Sequence, residues 1–414
     1  MNKKKKKKNN KKKKQFFLSG MENDSQFSLF EVIVMILISV IFGVIIGYLI
    51  TYGNSNLSRV RSNTNLGEIV SAYNNIVDNY YEEVDESQLA ESAIKGMVSS
   101  LEDPYSSFLD PDSTSSFNES VDGEYVGIGI TVEFDGEYNR VISVLENGPA
   151  KKAGVQINDL VISIDGHSCK GIYSGELQKL VEGDVGSSLE LVVQRGEEEL
   201  TLSVERQKIE AETVLGQIIE EDDHKIGYIR ISIFTSHFYT QFEKVLKRLE
   251  KEGMDSLILD IRNNPGGHLV QAKNILSRFF PKKTVLYQIE SNGVRKKVYS
   301  LNNQTLVYPM VVLINGETAS SAEVVAACFQ DHKKATIVGT NSYGKGNVQK
   351  TVSFSNGSSM KFTIEKWLSP KGKSVTGVGV VPDVVVEQSP EFYVEPNAFD
   401  TQFEEAKRIL IKES

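Results

Sequence analysis

The first hydrophobic pattern along the chain is a continuous apolar run. From Val32 to Ile50, nineteen residues carry no charge, and only one serine and two glycines interrupt the apolar side chains. A helix needs about 20 such residues to cross the hydrocarbon core of a bilayer. Tyr48 and Tyr52 lie where interfacial aromatic residues occur, and no small-residue cleavage pattern follows. The run therefore predicts one transmembrane helix over residues 32–52.

Three further patterns follow this run. Residues 53–67 are polar and are interpreted as a linker, and helical spacing of the next apolar positions predicts a helical segment over residues 68–116. Short alternating runs between turn residues predict a compact β domain over residues 117–206. Strands and helices then alternate over residues 207–388, which predicts a layered α/β core, and residues 389–414 are predicted as a last helical segment.

Charge divides the chain at the apolar run. Residues 1–31 hold ten lysines against three acidic residues, a balance of +7, so the net charge of −9 leaves −16 on the rest. Lysines before a spanning helix stay in the cytoplasm. We therefore expect a single-pass protein of the cell membrane, with its amino terminus in the cytoplasm and residues 53–414 outside it. So acidic a body excludes nucleic acid as a partner held by charge.

Only two cysteines are present, Cys169 and Cys328. This number excludes a disulfide scaffold and a four-cysteine zinc site, and the two residues fall in different predicted domains. We expect no metal ion and no other cofactor.

A glycine cluster follows one apolar strand of the α/β pattern. The string Asp260–Gly267 ends in Asn-Pro-Gly-Gly. Adjacent glycines there free backbone N–H groups to point at an anion or a developing oxyanion. The alternative interpretation is a plain strand-to-helix turn.

A second string, Asn315–Glu323, also follows a strand and opens a helix. A serine at such a turn has its hydroxyl at the positive end of the helix, where an alkoxide is stabilised. Helix capping by serine is the alternative.

The third string, Gly339–Gln349, is close to a nucleotide-binding loop. Gly346 stands where that loop requires serine or threonine, and a strand pattern follows instead of a helix. The string contains Lys345, which can act as a general base if burial lowers its pKa. His268, beside the glycine cluster, is the other candidate to activate a serine.

Within the predicted β domain, the strings Asn147–Val155 and Asp159–Gly166 resemble the PDZ family. The resemblance implies a loop that holds a peptide carboxylate by backbone N–H groups, beside a strand edge that receives the peptide. The residues at that loop are Tyr125, Val126, Gly127, Ile128 and Gly129.

Together the three strings resemble the carboxy-terminal processing peptidases, also called tail-specific proteases. The matching motifs are Arg262–Gly267, Ala319-Ser320 before Glu323, Tyr343–Gln349, Leu101–Ser106 and Val378–Asp383. The resemblance runs from Glu68 to Leu410. It implies that Ser320 is the nucleophile, Lys345 the general base and Gln349 the residue that orients the lysine.

The resemblance also implies an oxyanion hole. Its backbone donors fall on Ser321 and on Gly266 or Gly267, and the sequence leaves both glycines open. Because Ser321 stands where the family has alanine, the nucleophile is ambiguous by one position. Ser320 is preferred because Glu323 follows it at the family's spacing.

From the resemblance and the predicted transmembrane helix together we expect a membrane-anchored serine endopeptidase. Its PDZ domain binds the carboxy-terminal tail of substrate proteins, and Ser320 and Lys345 cleave the chain through an acyl-enzyme. Glu182-Gly183 replaces the family's Arg-Gly at the end of the PDZ helix, which puts gating by an arginine in doubt. The expected partners are tailed protein substrates and the membrane, and a homodimer is left open. The alternatives are a noncatalytic PDZ-containing peptide-binding scaffold and a serine hydrolase with His268 as its base.

Overall fold

The computed structural model of the protein describes residues 29–62, 64–302, 305–389, 392 and 399–413. The chain divides into two compact units, Met1–Ile94 and Lys95–Ser414. The lysine-rich tip up to residue 28 lies outside the described residues.

The described part of the amino-terminal unit consists mainly of helices. Helix α1 (Leu29–Ser62) spans 34 residues, α2 is Thr64–Asn79, and α3 (Glu86–Ser99) begins in this unit. The described apolar side chains from Phe30 to Tyr48 are mostly exposed. In the described part of the chain, no helix combines the length and the apolarity that a membrane crossing requires.

The stretch predicted as a linker is also helical where it is described. Helix α1 continues through residues 53–62, and α2 starts at Thr64. The predicted linker contains no proline, and a glycine such as Gly53 costs a helix only about 1 kcal/mol relative to alanine. Polarity alone therefore did not end the helix here.

Helices and strands alternate through the second unit. Its helices are α4 (Pro111–Asp122), α5 (Pro149–Ala153), α6 (Ser174–Val181), α7 (Phe238–Lys251), α8 (Leu269–Phe279), α9 (Ser321–Asp331) and α10 (Thr401–Glu413). Its strands are β1 (Ser107–Leu109), β2 (Glu124–Gly127), β3 (Ile130–Phe134), β4 (Asn139–Val144), β5 (Leu160–Ile164), β6 (His167–Ser168), β7 (Ser188–Arg195), β8 (Glu198–Glu205), β9 (Gln207–Glu210), β10 (Val214–Glu221), β11 (His224–Ile231), β12 (Ser256–Asp260), β13 (Val285–Ser291), β14 (Val294–Tyr299), β15 (Met310–Ile314), β16 (Thr336–Gly339), β17 (Asn347–Ser353), β18 (Ser359–Leu368) and β19 (Val384–Val385).

The core of this unit is a six-stranded sheet with helices on both faces. Its order is β10-β11-β12-β15-β16-β19, and all neighbouring strands are parallel except β10 and β11. Every residue of β12 and β15 is buried, as expected for parallel strands covered on both sides. Leu257 and Leu259 face the cluster formed with α7, α8 and α9, whereas Ile258 packs with Leu410 of α10. The predicted layered α/β core is confirmed.

A second, antiparallel sheet was not predicted from the sequence. Its order is β1-β18-β13-β14, and β17 also pairs with β18. Strand β14 shows why, because five of its six residues are exposed and its sequence carries three basic side chains. A strand with so little apolar surface gives almost no hydrophobic pattern.

The predicted PDZ domain is a small β domain with its own core. Strands β3, β4, β5, β7 and β8 form one sheet, with β6 on β5. Buried side chains such as Val141, Val161 and Leu191 form its centre. Strand β2 pairs with β9, so the chain enters and leaves this domain as two neighbouring strands. Cys169 lies in this core and Cys328 in α9; both are buried free thiols, and desolvation raises the pKa of each.

Candidate active site

Two loops meet where adjacent parallel strands end. The carboxyl ends of β12 and β15 lie side by side, so the loops that follow them face each other. Ala319 N–H donates to the Asn264 carbonyl at 2.9 Å, and the Thr318 hydroxyl donates to the Ile261 carbonyl at 2.9 Å. The glycine cluster and the serine string are thereby fixed to each other.

Ser320 has a strained backbone at the entrance of α9. Its φ of 55° and ψ of −121° lie in a region that non-glycine residues rarely occupy. Gly266, with a φ of 107°, packs directly against it, and a Cβ added there would lie 2.8 Å from Ser320 Cβ. Only glycine allows the two loops to approach this closely.

The buried carboxylate of Glu323 joins the Ser320 turn to the Lys345 loop. One oxygen, Oε2, accepts from the backbone N–H groups of Ser320 and Lys345, both at 2.8 Å. The other, Oε1, accepts from the Ser342 hydroxyl at 2.6 Å and from Gly344 N–H at 2.7 Å. A side chain that is 0% exposed thus receives four hydrogen bonds and sets where Lys345 lies relative to Ser320.

The amine of Lys345 is half-buried in the same region. Its Nζ lies 5.3 Å from the centre of the Tyr105 ring. Burial lowers the pKa of Lys345, the positive charge of Lys361 lowers it further, and the carboxylates of Glu323 and Asp103 oppose the shift. The neutral amine, the form that accepts a proton, is therefore favoured over the ammonium relative to an exposed lysine.

Ser320, Lys345, Gln349, Gly267 and His268 line one cavity of about 520 Å³. The structure thus brings together residues from the three strings that the sequence singled out. Within the described residues, no hydrogen bond joins Ser320 to Lys345, and none joins Gln349 to Lys345.

Of the two glycines considered as oxyanion donors, Gly267 rather than Gly266 has a free backbone N–H. The N–H of Gly266 donates to the side-chain oxygen of Asn264 at 2.9 Å. In the described chain, the N–H groups of Gly267 and Ser321 have no acceptor. Gly267 also lines the cavity with Ser320, whereas Gly266 does not.

The side chains of Ser321 and His268 lie next to these loops. Ser321 is 1% exposed, and its hydroxyl points to the Gly267 carbonyl at 3.4 Å, so it does not face the cavity. His268 Nε2 lies 3.2 Å from Asp122 Oδ1 and 3.3 Å from Ser236 Oγ. The imidazole thus contacts the end of α4 rather than Ser320.

The PDZ domain carries a separate groove of about 650 Å³ between β3 and α6. The predicted loop lies at its edge, in β2 and the turn to β3, and all five predicted residues line it. Gly129 has a φ of 76°, which turns the backbone there. In the described chain, the N–H groups of Ile128 and Gly129 have no acceptor, so both remain available to a carboxylate.

Helix α4 forms part of the wall of both cavities, and Ser120 lines both. Its ends are well defined, since Asp110 caps the amino end by accepting from Ser113 N–H at 2.7 Å and Gly123 ends the helix with a φ of 70°. The only charged side chains that line the described PDZ groove are Glu119 of α4 and Glu182.

Comparison with known proteins gives three family matches along this chain. Residues 225–386 match peptidase family S41, residues 140–195 match the PDZ domain, and residues 51–113 match the N-terminal domain of the activating protease CtpB. The carboxy-terminal processing protease CtpB of Bacillus subtilis (strain 168) is 34% identical over 358 residues, covering 84% of this chain and 75% of that protein. The chain belongs to peptidase family S41. It is a serine-type carboxy-terminal processing endopeptidase with a PDZ domain.

Two further relatives of this S41 peptidase are similar over most of its length. The carboxy-terminal processing protease CtpA of Bacillus subtilis (strain 168) is 34% identical over 342 residues, covering 81% of this chain and 72% of that protein. Among solved structures, the photosystem II D1 C-terminal processing protease is 27% identical, with 83% of this chain and 90% of that chain covered and a TM-score of 0.49.

The sequence did not assign roles to some residues that shape this S41 site. In the sequence, Glu323 was used only to prefer Ser320 over Ser321 as the nucleophile. Its position three residues after Ser320 is also the pattern of a capping box. Tyr105 and Asp103 belong to a matching motif, but nothing in that motif places them beside Lys345. Their position depends on the docking of β1 on β18, where Asp103 accepts from Thr363 at 2.6 Å.

Proposed function

We infer that Ser320 and Lys345 form the catalytic dyad of this peptidase. The observation that carries the proposal is the Glu323 carboxylate, which holds the backbone of both residues at 2.8 Å beside one cavity. The lowered pKa of Lys345 supports its role as the base, because a neutral amine must take the serine proton.

The proposed reaction begins when neutral Lys345 takes the Ser320 proton as Oγ attacks the scissile carbonyl carbon. The N–H groups of Gly267 and Ser321 receive the developing oxyanion. The Lys345 ammonium then gives a proton to the leaving amine, and an acyl-enzyme on Ser320 remains. A water molecule, deprotonated by Lys345, releases the acyl group and restores the serine.

We propose that the PDZ groove selects the substrate by its carboxy-terminal tail. The free N–H groups of Ile128 and Gly129 would bind the terminal carboxylate, and the apolar wall around Leu177 and Val181 would bind apolar tail side chains. Because α4 borders both the groove and the catalytic cavity, a tail in the groove places the chain near Ser320.

The dyad is tested with Ser320→Ala and Lys345→Ala on a model protein with an apolar carboxy-terminal tail. Each variant is expected to lose cleavage by at least about 10³-fold while its thermal unfolding midpoint stays near that of the wild type. Ser321→Ala keeps the backbone donor and is expected to retain turnover. Cleavage by Ser320→Ala at the wild-type rate would remove the nucleophile from the proposal.

The proposal also includes a membrane anchor, with the amino terminus in the cytoplasm and the peptidase outside. It is supported by the uncharged run Val32–Ile50 and by exposed apolar side chains of α1, such as Ile36 at 58% and Val44 at 66%. The test is whether the full chain stays in the membrane pellet after alkaline carbonate extraction, whereas a chain starting at Thr64 is released. Extraction of the full chain would contradict the anchor.

A further inference from the structure

Two unpaired polar atoms lie in the wall of the catalytic cavity. Among the described residues, four buried side-chain atoms have no hydrogen bond, but two of these, in Glu243 and Arg278, face each other as an ion pair at 2.6 Å. The remaining two are Asn347 Oδ1 and Gln349 Nε2. Buried polar atoms are nearly always paired within the protein or with water, so two atoms that the protein itself leaves unpaired beside one cavity are candidates to bind a ligand.

The two atoms belong to one strand, β17, and complement each other as a hydrogen-bond acceptor and a donor. Asn347 and Gln349 lie two residues apart on β17, and both line the cavity with Lys345. Asn347 offers an acceptor and Gln349 a donor. A secondary amide needs both, an acceptor for its N–H and a donor for its carbonyl.

The strand itself is suited to an extended partner. In the described structure β17 pairs with β18 alone, and it begins two residues after Lys345. A substrate backbone that passes Ser320 and Lys345 therefore runs close to the amide side chains at the start of β17.

We propose that Asn347 and Gln349 bind one peptide group of the substrate next to the scissile bond. Asn347 Oδ1 accepts its N–H, and Gln349 Nε2 donates to its carbonyl, while Gln349 Oε1 remains free to accept from Lys345. Asn347 is then a specificity residue, which favours a secondary amide over the tertiary amide that precedes a proline nitrogen. The inference rests on the proposed Ser320–Lys345 chemistry.

A binding role and a structural role of Asn347 predict different changes in stability when the residue is replaced. A buried acceptor without a partner is unfavourable in the free enzyme, so Asn347→Ala should leave the thermal unfolding midpoint unchanged or raise it. An asparagine that held β17 in place would, on replacement, lower the midpoint.

The experiment is a double-mutant cycle between enzyme and substrate. Peptide substrates keep the scissile amide, and each carries one ester in place of a neighbouring peptide bond, which removes a single N–H. The wild-type full chain is expected to lose about tenfold in kcat/KM at one ester position, equivalent to 1.4 kcal/mol. Asn347→Ala is expected to lose about as much on the all-amide substrate and nothing more at that ester position.

Ser353→Ala, on the same strand but outside the cavity, is the control and should keep the ester sensitivity of the wild type. Additive losses, no sensitive ester position, or a lowered unfolding midpoint of Asn347→Ala would each overturn the inference. Failure of the dyad is distinguishable, because the wild type would then cleave the all-amide peptide no faster than Ser320→Ala does.

Discussion

The proposed catalytic cavity and the PDZ groove share helix α4 as a wall but are built differently. In the catalytic cavity, a buried carboxylate, a strained serine and a desolvated lysine are fixed by hydrogen bonds within the protein. In the PDZ groove, apolar side chains such as Leu177 and Val181 line part of the wall, and the backbone N–H groups of Ile128 and Gly129 are left free. Both cavities leave backbone donors free, at Gly267 and Ser321 in one and at Ile128 and Gly129 in the other, but the proposed bond-breaking also needs reacting side chains that are held in place before the substrate arrives.

Among the substitutions that test this comparison, Glu323→Gln is expected to have the largest effect. The new amide nitrogen would face two N–H or O–H donors that now contact a carboxylate oxygen, and the variant should lose about 2–4 kcal/mol of unfolding free energy. Because Ser320 and Lys345 would no longer be held together, kcat should fall by about 10²-fold or more. Chemical denaturation and turnover of a tailed protein measure both effects.

Glu317→Gln is the matched control, since Glu317 is exposed in the same loop and its carboxylate forms no ion pair with the described residues. It should change neither quantity. A Glu323→Gln enzyme with wild-type kcat would show that the hydrogen bonds of the catalytic loops do not fix the reacting groups.

A moderate effect is expected in the groove from Gly129→Ala. A Cβ there would lie 3.2 Å from Leu145 Cβ, and the φ of 76° is costly for alanine, so the carboxylate loop should be displaced. KM for a tailed protein is expected to rise about five- to tenfold, whereas hydrolysis of a short peptide without the tail stays constant.

Gly136→Ala carries a similar backbone strain away from the groove, because its φ is 103° and nothing lies within 4 Å of an added Cβ. It should leave KM for the tailed protein unchanged. Equal losses on tailed and short substrates with Gly129→Ala would mean that the groove does not act through tail binding.

The smallest effect is expected from Lys361→Gln on the pH dependence. The rate should rise with pH as Lys345 loses its proton, and Lys361 helps to keep the pKa of Lys345 low. Removing that charge raises the pKa of Lys345, so the rising limb of kcat/KM should move to higher pH. Lys350→Gln, an exposed change on β17, should leave the limb in place.

A limb that stays in place in Lys361→Gln, or that follows His268→Ala instead, would contradict the assignment of Lys345 as base. The structure already makes His268 a neighbour of Asp122 and Ser236, which is a contact between α4 and the core.

Much of this molecule could be predicted from its sequence because the signals are local. The buried strands β12 and β15 are continuous apolar runs, and the strings after them contain the glycines and the serine that the tight turns need. The family resemblance implied that the three strings share one active site, and in the structure they follow the neighbouring parallel strands β12, β15 and β16. The antiparallel sheet was missed because strands such as β14 bury too little to leave a pattern.

The sequence by itself determined the division of charge at Val32–Ile50, the α/β core, the PDZ domain and the candidate residues Ser320 and Lys345. Only the tertiary structure decided which backbone donors remain free, that Glu323 connects the two loops, and that Asn347 and Gln349 lack partners. The reason is physical. Periodicity and turn chemistry depend on residues a few positions apart, whereas desolvation and hydrogen-bond pairing depend on atoms that only folding brings together.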